Sequence, residues 1–250
     1  PASAGLFISA ALLNRRRELI YISREETMTL DLSKLEYVIF DWDNTLAESR
    51  STLVLSVNRV LKEYGLPDWE AGKSRRNPDL SFRDNFPLVF GAENAVAAYE
   101  RYAEIYKREV RSHISTFPGV RDVLAFFHAR GIPMMIMSNK DRRLMKIKLP
   151  LLFDPQLFSR VVCGHEASRD KPYPEQIYYT LDGLLAPADI TPERVWMIGD
   201  SPMDSKSAEA ANALPVRIGR SIWGDEGAPD TKIVYFNNFE DFYHTLKLIK

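Results

Sequence analysis

Six short apolar runs alternate with longer stretches of helical spacing, and this alternation restricts the fold more than any other feature of the sequence. The runs cover residues 37–40, 134–137, 161–163, 195–198, 216–218 and 233–236. Helical spacing covers residues 119–130, 174–185, 205–213 and 239–249. Strands that alternate with helices are typical of βαβ units. The sequence therefore predicts an α/β fold with a Rossmann-like parallel sheet as its core.

One region interrupts this alternation directly after the first run. Residues 52–64 and 92–111 have helical spacing with many charged positions, and residues 65–91 between them are rich in Pro, Gly, Asn and Arg. No strand-like run occurs there, which favours an inserted helical domain. The predicted division is an N-terminal extension and lead-in at 1–35, a core at 36–48 and 115–250, and a helical domain at 49–114.

The composition argues against several classes of partner. The 250 residues include 33 Lys and Arg and 34 Asp and Glu, so the formal net charge is −1. Without a basic field we expect no nucleic-acid partner, and no apolar run reaches the roughly 18–20 residues of a membrane span. The single cysteine, Cys163, follows two valines and is expected to be a small buried residue. A cytoplasmic protein is expected, and the sequence leaves its oligomeric state open.

Residues 1–27 allow three interpretations. An apolar run at 5–13 is followed by Arg15, Arg16 and Arg17, whereas a secretory signal carries its basic residues before the apolar run. The segment is a targeting sequence, a family-specific helix, or sequence upstream of a start at Met28. The last two interpretations are favoured jointly, and organellar targeting stays open.

Carboxylates follow two of the predicted strands directly. Asp41 and Asp43 come after the first run, and Asp200 and Asp204 come after the run at 195–198. The carboxyl ends of parallel strands border the ligand crevice of an open α/β sheet. Like charges at such an edge need a cation or a shared proton, and Mg²⁺ prefers oxygen ligands. Taken alone, each pair is also compatible with an ordinary turn or helix cap.

Two further segments add polar groups to the same edge. Ser138 and Asn139 follow the run at 134–137, and Lys171 stands before Pro172. Individually they are compatible with a helix cap and a solvated loop lysine. Together with the carboxylates they supply an oxygen nucleophile, a metal site and donors for phosphoryl oxygens, which is what phosphoryl transfer needs.

In this order, the motif 41–45 (DWDNT), Ser138, Lys171 with its prolines, and the motif 199–204 (GDSPMD) resemble the four motifs of the haloacid dehalogenase superfamily. The resemblance spans about residues 36–250. The helical insertion resembles the C1-type α-helical cap, and the whole chain is similar to phosphoglycolate-phosphatase-like members.

The resemblance implies a role for each motif residue. Asp41 would be the nucleophile that forms an aspartyl-phosphate, and Asp43 the acid/base that protonates the leaving oxygen and then activates water. Mg²⁺ would be held by Asp41, the backbone carbonyl of Asp43 and Asp200, with Asp204 at or near that shell. Ser138 and Lys171 would act on the phosphoryl group, and Thr45 and Asn139 are expected to bind substrate.

The first motif departs from the family pattern at one position. Asn44 replaces the usual glycine, and Asn tolerates a positive φ better than other non-glycine residues do. We therefore expect the loop to keep its conformation. The second carboxylate, Asp43, favours a phosphatase or phosphotransferase over a dehalogenase, which has no leaving alkoxide to protonate.

Substrate selection is expected to depend on the helical insertion. Arg75, Arg76 and Arg83 are candidates to grip a carboxylate or a second phosphate. The alternative is a solvated basic loop balanced by Asp79 and Asp84. The aromatic residues of the insertion are expected to pack its own small core; they are Phe86, Phe90, Tyr99, Tyr102 and Tyr106.

The predicted function is Mg²⁺-dependent hydrolysis of a small phosphorylated metabolite. A sugar-phosphate mutase or a phosphonate hydrolase of the same superfamily is the alternative. A non-catalytic scaffold is disfavoured, because buried carboxylates without a cation are costly. His165, in the loop before Lys171, is interpreted as a loop residue or a lining residue of the pocket.

Overall fold

The computed structural model describes residues 30–69, 77, 80–112, 114–221 and 233–249. Within these ranges six parallel strands form one sheet in the order β3-β2-β1-β4-β5-β6. The strands are β1 (Tyr37–Phe40), β2 (Met134–Met137), β3 (Arg160–Val162), β4 (Val195–Gly199), β5 (Leu214–Ile218) and β6 (Val234–Phe236). The predicted α/β fold with a Rossmann-like parallel sheet is confirmed.

The centre of the sheet is β1, which pairs with β2 on one side and β4 on the other. Val38 is level with Met134 of β2 and with Trp196 of β4. All three strands run in the same direction, so their carboxyl ends lie side by side. This register brings the segments after β1, β2 and β4 to one edge of the sheet.

Helices cover both faces of the sheet. Alternate residues of β1 point to opposite faces, so Phe40 packs in one hydrophobic cluster and Ile39 in another. The first cluster includes residues of α4, α5 and α8, and the second includes residues of α6 and α7. These helices are α4 (Val120–Ala129), α5 (Arg142–Leu152), α6 (Glu175–Thr180), α7 (Pro202–Ala210) and α8 (Phe239–Leu246).

Among the described residues, three α-helices lie between β1 and α4. They are α1 (Arg50–Glu63), α2 (Phe86–Phe90) and α3 (Ala95–Glu109), which we call the helical insertion. All five aromatic residues predicted for its core are buried in a third hydrophobic cluster. Leu144 of α5 belongs to that cluster too, so the insertion packs against a core helix.

The structure contains two helices that the sequence pattern did not indicate. In α5 the inward-facing positions include Lys148, and Pro150 lies in the last turn, so the apolar spacing is broken. The other, α2, is a five-residue helix with Pro87 in its first turn, and it lies in the stretch 65–91, where no helical spacing was found. The helix predicted over 174–185 is only Glu175–Thr180. None of the described helices has the length and apolar character needed to cross a bilayer.

Gly119 provides a test of the packing between α4 and α8. Its φ is +81°, and a Cβ added there would lie 2.7 Å from the backbone nitrogen of Glu240. The left-handed backbone alone costs an L-residue about 1–2 kcal/mol, and the contact adds to this cost. We predict that Gly119→Ala lowers the free energy of unfolding by roughly 2 kcal/mol or more, measured by urea denaturation.

Gly131 is the matched control. Its φ is +67°, but nothing lies within 4 Å of an added Cβ. Gly131→Ala should therefore show only the backbone cost, roughly 1 kcal/mol. Equal losses for the two variants would contradict the proposed close contact with α8.

Candidate active site

A cavity of about 90 Å³ lies between the carboxyl edge of the sheet and the helical insertion. Motif residues line one side and residues of the insertion line the other. The core side includes Asp41, Asp43, Ser138, Asn139, Lys171 and Asp200. The insertion side includes Leu53, Leu80, Ser81, Phe82, Arg83, Tyr99 and Tyr102. The fold thus brings together the segments that follow β1, β2 and β4 and places them under the insertion.

Lys171 connects the first and last motifs. Its Nζ donates to Asp41 Oδ1 at 2.6 Å and to Asp204 Oδ1 at 2.7 Å. The backbone of Lys171 is fixed by Asn139, whose Nδ2 donates to the Lys171 carbonyl at 2.8 Å and whose Oδ1 accepts from the Lys171 N–H at 3.1 Å. The Asn139 side chain therefore positions the lysine, a contact that sequence reasoning had not identified.

Asp204 also caps α7. Its Oδ2 accepts from the backbone N–H of Ser201 at 3.0 Å and from the Ser201 hydroxyl at 2.7 Å. This is a capping box at the start of the helix. A Cβ at position 199 would lie 2.3 Å from the Asp204 carboxyl, so only Gly199 leaves room for the carboxylate to fold back over the strand end.

Asp200 is held by the loop that follows β1. Asn44 Nδ2 donates to Asp200 Oδ2 at 2.8 Å, and Thr45 Oγ1 donates to Oδ1 at 3.2 Å. Asn44 has a φ of +63°, so the expectation that Asn accepts this conformation is confirmed. The Asn44 amide also orients the Asp200 carboxylate at the end of β4, which a glycine, having no side chain, could not do. Thr45, predicted to bind substrate, uses its hydroxyl for the same carboxylate.

The carboxylates of Asp41, Asp200 and Asp204 form a buried cluster whose oxygens lie within 4.8 Å of one another. Burial raises the pKa of Asp41 to about 7, with repulsion from Asp204 in the same direction and attraction by Lys171 opposing it. Burial and the neighbouring carboxylates also raise the pKa of Asp200 well above its ordinary value. One lysine does not balance three carboxylates, so the donor set fits a divalent cation with oxygen ligands.

Asp43 has different partners. Its Oδ1 accepts from Lys148 Nζ at 2.7 Å and from the Ser49 hydroxyl at 2.6 Å, and its Oδ2 pairs with Lys140 Nζ at 2.7 Å. Burial opposes ionisation, but the two ammonium groups hold the pKa of Asp43 well below its usual range. The carboxylate is therefore ionised and lies outside the three-carboxylate cluster.

Sequence reasoning missed both of these lysines. Lys140 directly follows Asn139, so its position just after β2 could have indicated that it lies at the carboxyl edge of the sheet. Lys148 could be placed only by knowing that residues 142–152 are helical, because it lies one turn after Leu144 on the side of α5 that faces the insertion.

The remaining residues singled out in the sequence lie in different parts of the structure. The Arg83 guanidinium lies over the ring of Tyr99, 5.1 Å from its centroid, and lines the cavity. Arg75 and Arg76, like residues 1–27, lie outside the described residues. His165 Nε2 lies 3.3 Å from Asp84 Oδ1, and both residues line a neighbouring pocket that Lys171 also borders. Cys163 is buried as predicted, and burial raises the pKa of its thiol to about 12.

Comparison with known proteins identifies the family. Residues 38–217 match the family model of haloacid dehalogenase-like hydrolases. The chain therefore belongs to this family, as the motifs predicted.

Individual relatives are more distant. A phosphoglycolate phosphatase of Chromobacterium violaceum is 25% identical over 198 residues, covering 76% of this chain and 87% of the relative. The pyrophosphatase PpaX of Oceanobacillus iheyensis is 26% identical over 190 residues, covering 74% and 84%. The crystal structure of CbbY from Rhodobacter sphaeroides in complex with phosphate has a TM-score of 0.68 at 18% identity, covering 85% of this chain and 99% of the other. This last likeness shows the common fold.

The raised pKa values of the carboxylate cluster make a prediction about metal binding. A carboxyl group whose pKa is raised in the folded state stabilises the fold at low pH and loses that contribution as pH rises through about 7. Bound Mg²⁺ should offset this loss. We predict that the rise in Tm on adding Mg²⁺ is larger at about pH 8 than at about pH 6, because protons compete for the same oxygens.

Mg²⁺ at about 100 times its Kd should add about 2.7 kcal/mol to the free energy of unfolding. Scanning calorimetry with and without Mg²⁺ measures the effect, and Asp200→Asn is the control that should abolish most of it. A Tm increase of equal size at both pH values would contradict the assignment of these carboxylates to the cation.

Proposed function

We propose that this protein is a Mg²⁺-dependent phosphatase that hydrolyses a small phosphate monoester through an aspartyl-phosphate on Asp41. The observation that carries the proposal is the contact of Lys171 with Asp41 and Asp204, beside Asp200, at the floor of a cavity closed by the helical insertion. Membership of the hydrolase family and relatives named phosphoglycolate phosphatase and pyrophosphatase support it.

The metal would be held by the Asp41 and Asp200 carboxylates with the backbone carbonyl of Asp43. Bound there, Mg²⁺ supplies positive charge that offsets the cluster and polarises the phosphoryl oxygens. Asp204 Oδ1 accepts from the Lys171 ammonium and its Oδ2 from Ser201, so it is proposed to hold Lys171 and the start of α7 at or near the metal. Asn44 and Thr45 fix the orientation of the Asp200 carboxylate.

In the first step a carboxylate oxygen of Asp41 attacks phosphorus and the bond to the leaving oxygen breaks. Lys171 stabilises the charge on the transferring group, and the Ser138 hydroxyl with nearby backbone N–H groups binds its oxygens. Lys140 and Lys148 hold Asp43 ionised, so it must first take up a proton from solvent, which it then delivers to the leaving oxygen. The leaving alcohol then departs on the side of the cavity lined by the insertion.

In the second step water attacks phosphorus and Asp41 is released with inorganic phosphate. Asp43 removes the proton from that water, and the ionised state in which Lys140 and Lys148 hold it suits this role. Two in-line displacements thus replace one difficult hydrolysis. Transfer of the phosphoryl group to a second hydroxyl, as in a mutase, would use the same intermediate and differs only in the acceptor.

The insertion, residues 49–114, is proposed to be the cap that selects the leaving group. Asp141 lines the cavity, but the Arg143 guanidinium neutralises it at 2.8 Å, and Asp141 Oδ1 accepts from the Arg143 backbone N–H at 2.7 Å. Among the described residues, no carboxylate forms an ion pair with Arg83, which therefore remains as a cation for the substrate. A carboxylate or second phosphate on a small ester matches that charge and the size of the cavity.

The covalent mechanism is tested by Asp41→Asn. Without the nucleophile, kcat for phosphate esters should fall by about 10³-fold or more, since the neutral amide does not attack phosphorus and is a weaker ligand for the cation. A panel of phosphoglycolate, inorganic pyrophosphate and sugar phosphates is assayed with Mg²⁺ and with EDTA. Asp122→Asn, an exposed aspartate on α4, is the matched control and should keep full activity.

Turnover that survives Asp41→Asn would rule out the aspartyl-phosphate. Absence of turnover of every ester by the intact protein would favour a binding protein on this fold. Conversion of a sugar phosphate to its isomer, without release of phosphate, would identify a mutase.

The role of Arg83 is tested by Arg83→Gln with two esters of similar size. For phosphoglycolate, kcat/KM should fall by about 10–100-fold, because a charged hydrogen bond is worth about 1.5–3 kcal/mol. For 2-hydroxyethyl phosphate, which lacks the carboxylate, the change should stay within about threefold. Arg101→Gln, on the exposed side of α3, is the control. Equal losses for both esters would show that Arg83 does not recognise the anion.

A further inference from the structure

Two buried lysines share one carboxylate beside the cavity. Lys140 and Lys148 each lie 2.7 Å from an oxygen of Asp43, and their side chains are 5% and 0% exposed. Neutralising Asp43 requires one cation, and Lys140 supplies it. Burial of a second ammonium group costs several kcal/mol unless something compensates, so the presence of Lys148 needs another explanation.

The two lysines occupy different positions around Asp43. Lys140 lines the cavity together with Asp43, whereas Lys148 does not and reaches the carboxylate from the protein interior. Ser49, the residue before α1, donates to the same Oδ1 atom as Lys148. Both carboxylate oxygens are therefore held by donors, while the Asp43 side chain remains 20% exposed toward the cavity.

The insertion covers this arrangement. The ring of Tyr106 on α3 lies 4.6 Å from Lys140 Nζ and 5.4 Å from Lys148 Nζ, measured to its centroid. Trp42 lies 5.7 Å from Lys148 Nζ. Aromatic faces stabilise ammonium groups and exclude water. Lys148 Nζ thus lies near two aromatic rings, with Asp43 as its anionic partner.

We propose that Lys148 is a positioning residue for Asp43, fixing from behind the carboxylate that acts on the leaving oxygen and on water. The proposal rests on the proposed function, because it assumes that Asp43 takes part in phosphate-ester hydrolysis. Lys148 touches neither the substrate nor the cation in this arrangement. Its effect is to keep one orientation of Asp43, which Lys140 and Ser49 alone would hold less firmly.

Lys148→Met tests the proposal, since methionine matches the length of the lysine stem without its charge. We expect kcat to fall by about tenfold or more while KM stays within about twofold. Because Asp43 keeps Lys140 as a partner, removal of the buried Lys148 charge should leave Tm unchanged or raise it. Lys146→Met, an exposed lysine on the same helix, is the matched control and should retain wild-type kinetics.

A second readout separates positioning from a general structural effect. For an alkyl phosphate, whose leaving oxygen needs a proton, kcat/KM of Lys148→Met should fall at least about fivefold more than for an aryl phosphate, whose leaving group departs as an anion. An equal loss for both esters, or wild-type kinetics, would overturn the role of Lys148 while the intact enzyme's Mg²⁺-dependent turnover still supports the proposed function. An intact protein without such turnover would overturn both proposals.

Discussion

Repulsion among carboxylates at one edge of the sheet is the constraint on which the rest of the site depends. Asp41, Asp200 and Asp204 are buried with one oxygen of each within 4.8 Å of the others, an arrangement that needs opposite charge or a bound proton to offset the repulsion. Lys171 provides one such charge, and a divalent cation would provide the rest. The surrounding hydrogen bonds keep these groups from turning away from one another.

Much of that support comes from uncharged residues. Asn139 fixes the backbone of Lys171, Asn44 fixes the carboxylate of Asp200, and Gly199 leaves the space that Asp204 fills. Each contact joins segments far apart in the chain. Parallel strands make this possible, because the loops after β1, β2 and β4 emerge at the same edge.

The sequence was sufficient to predict the sheet, because the strands are short, apolar and bounded by turn residues. The four motifs could also be recognised in it. It also predicted the positive φ at position 44. It could not predict the partners of Asp43, since nothing local distinguishes Lys148 from a surface lysine. Nor could it predict that Thr45 contacts Asp200 or that Asn139 contacts Lys171, because those partners come from loops distant in sequence.

The helix α5 illustrates why apolar spacing alone can fail to indicate a helix. One side carries Met145, Leu149 and Leu152 against the sheet, and the other carries Leu144 in the cluster of the insertion. Lys148 lies one turn further along that second side.

The insertion is therefore attached to the core by its two chain connections and, among the described residues, by non-covalent contacts that include those with α5. A movement that opens the cavity must separate Leu144 from the insertion's aromatic cluster, or carry α5 with it. Because α5 also holds Lys148, the second course would shift the lysine that faces Asp43. Opening of the cavity and the alignment of the Asp43 carboxylate are thereby linked through a single helix.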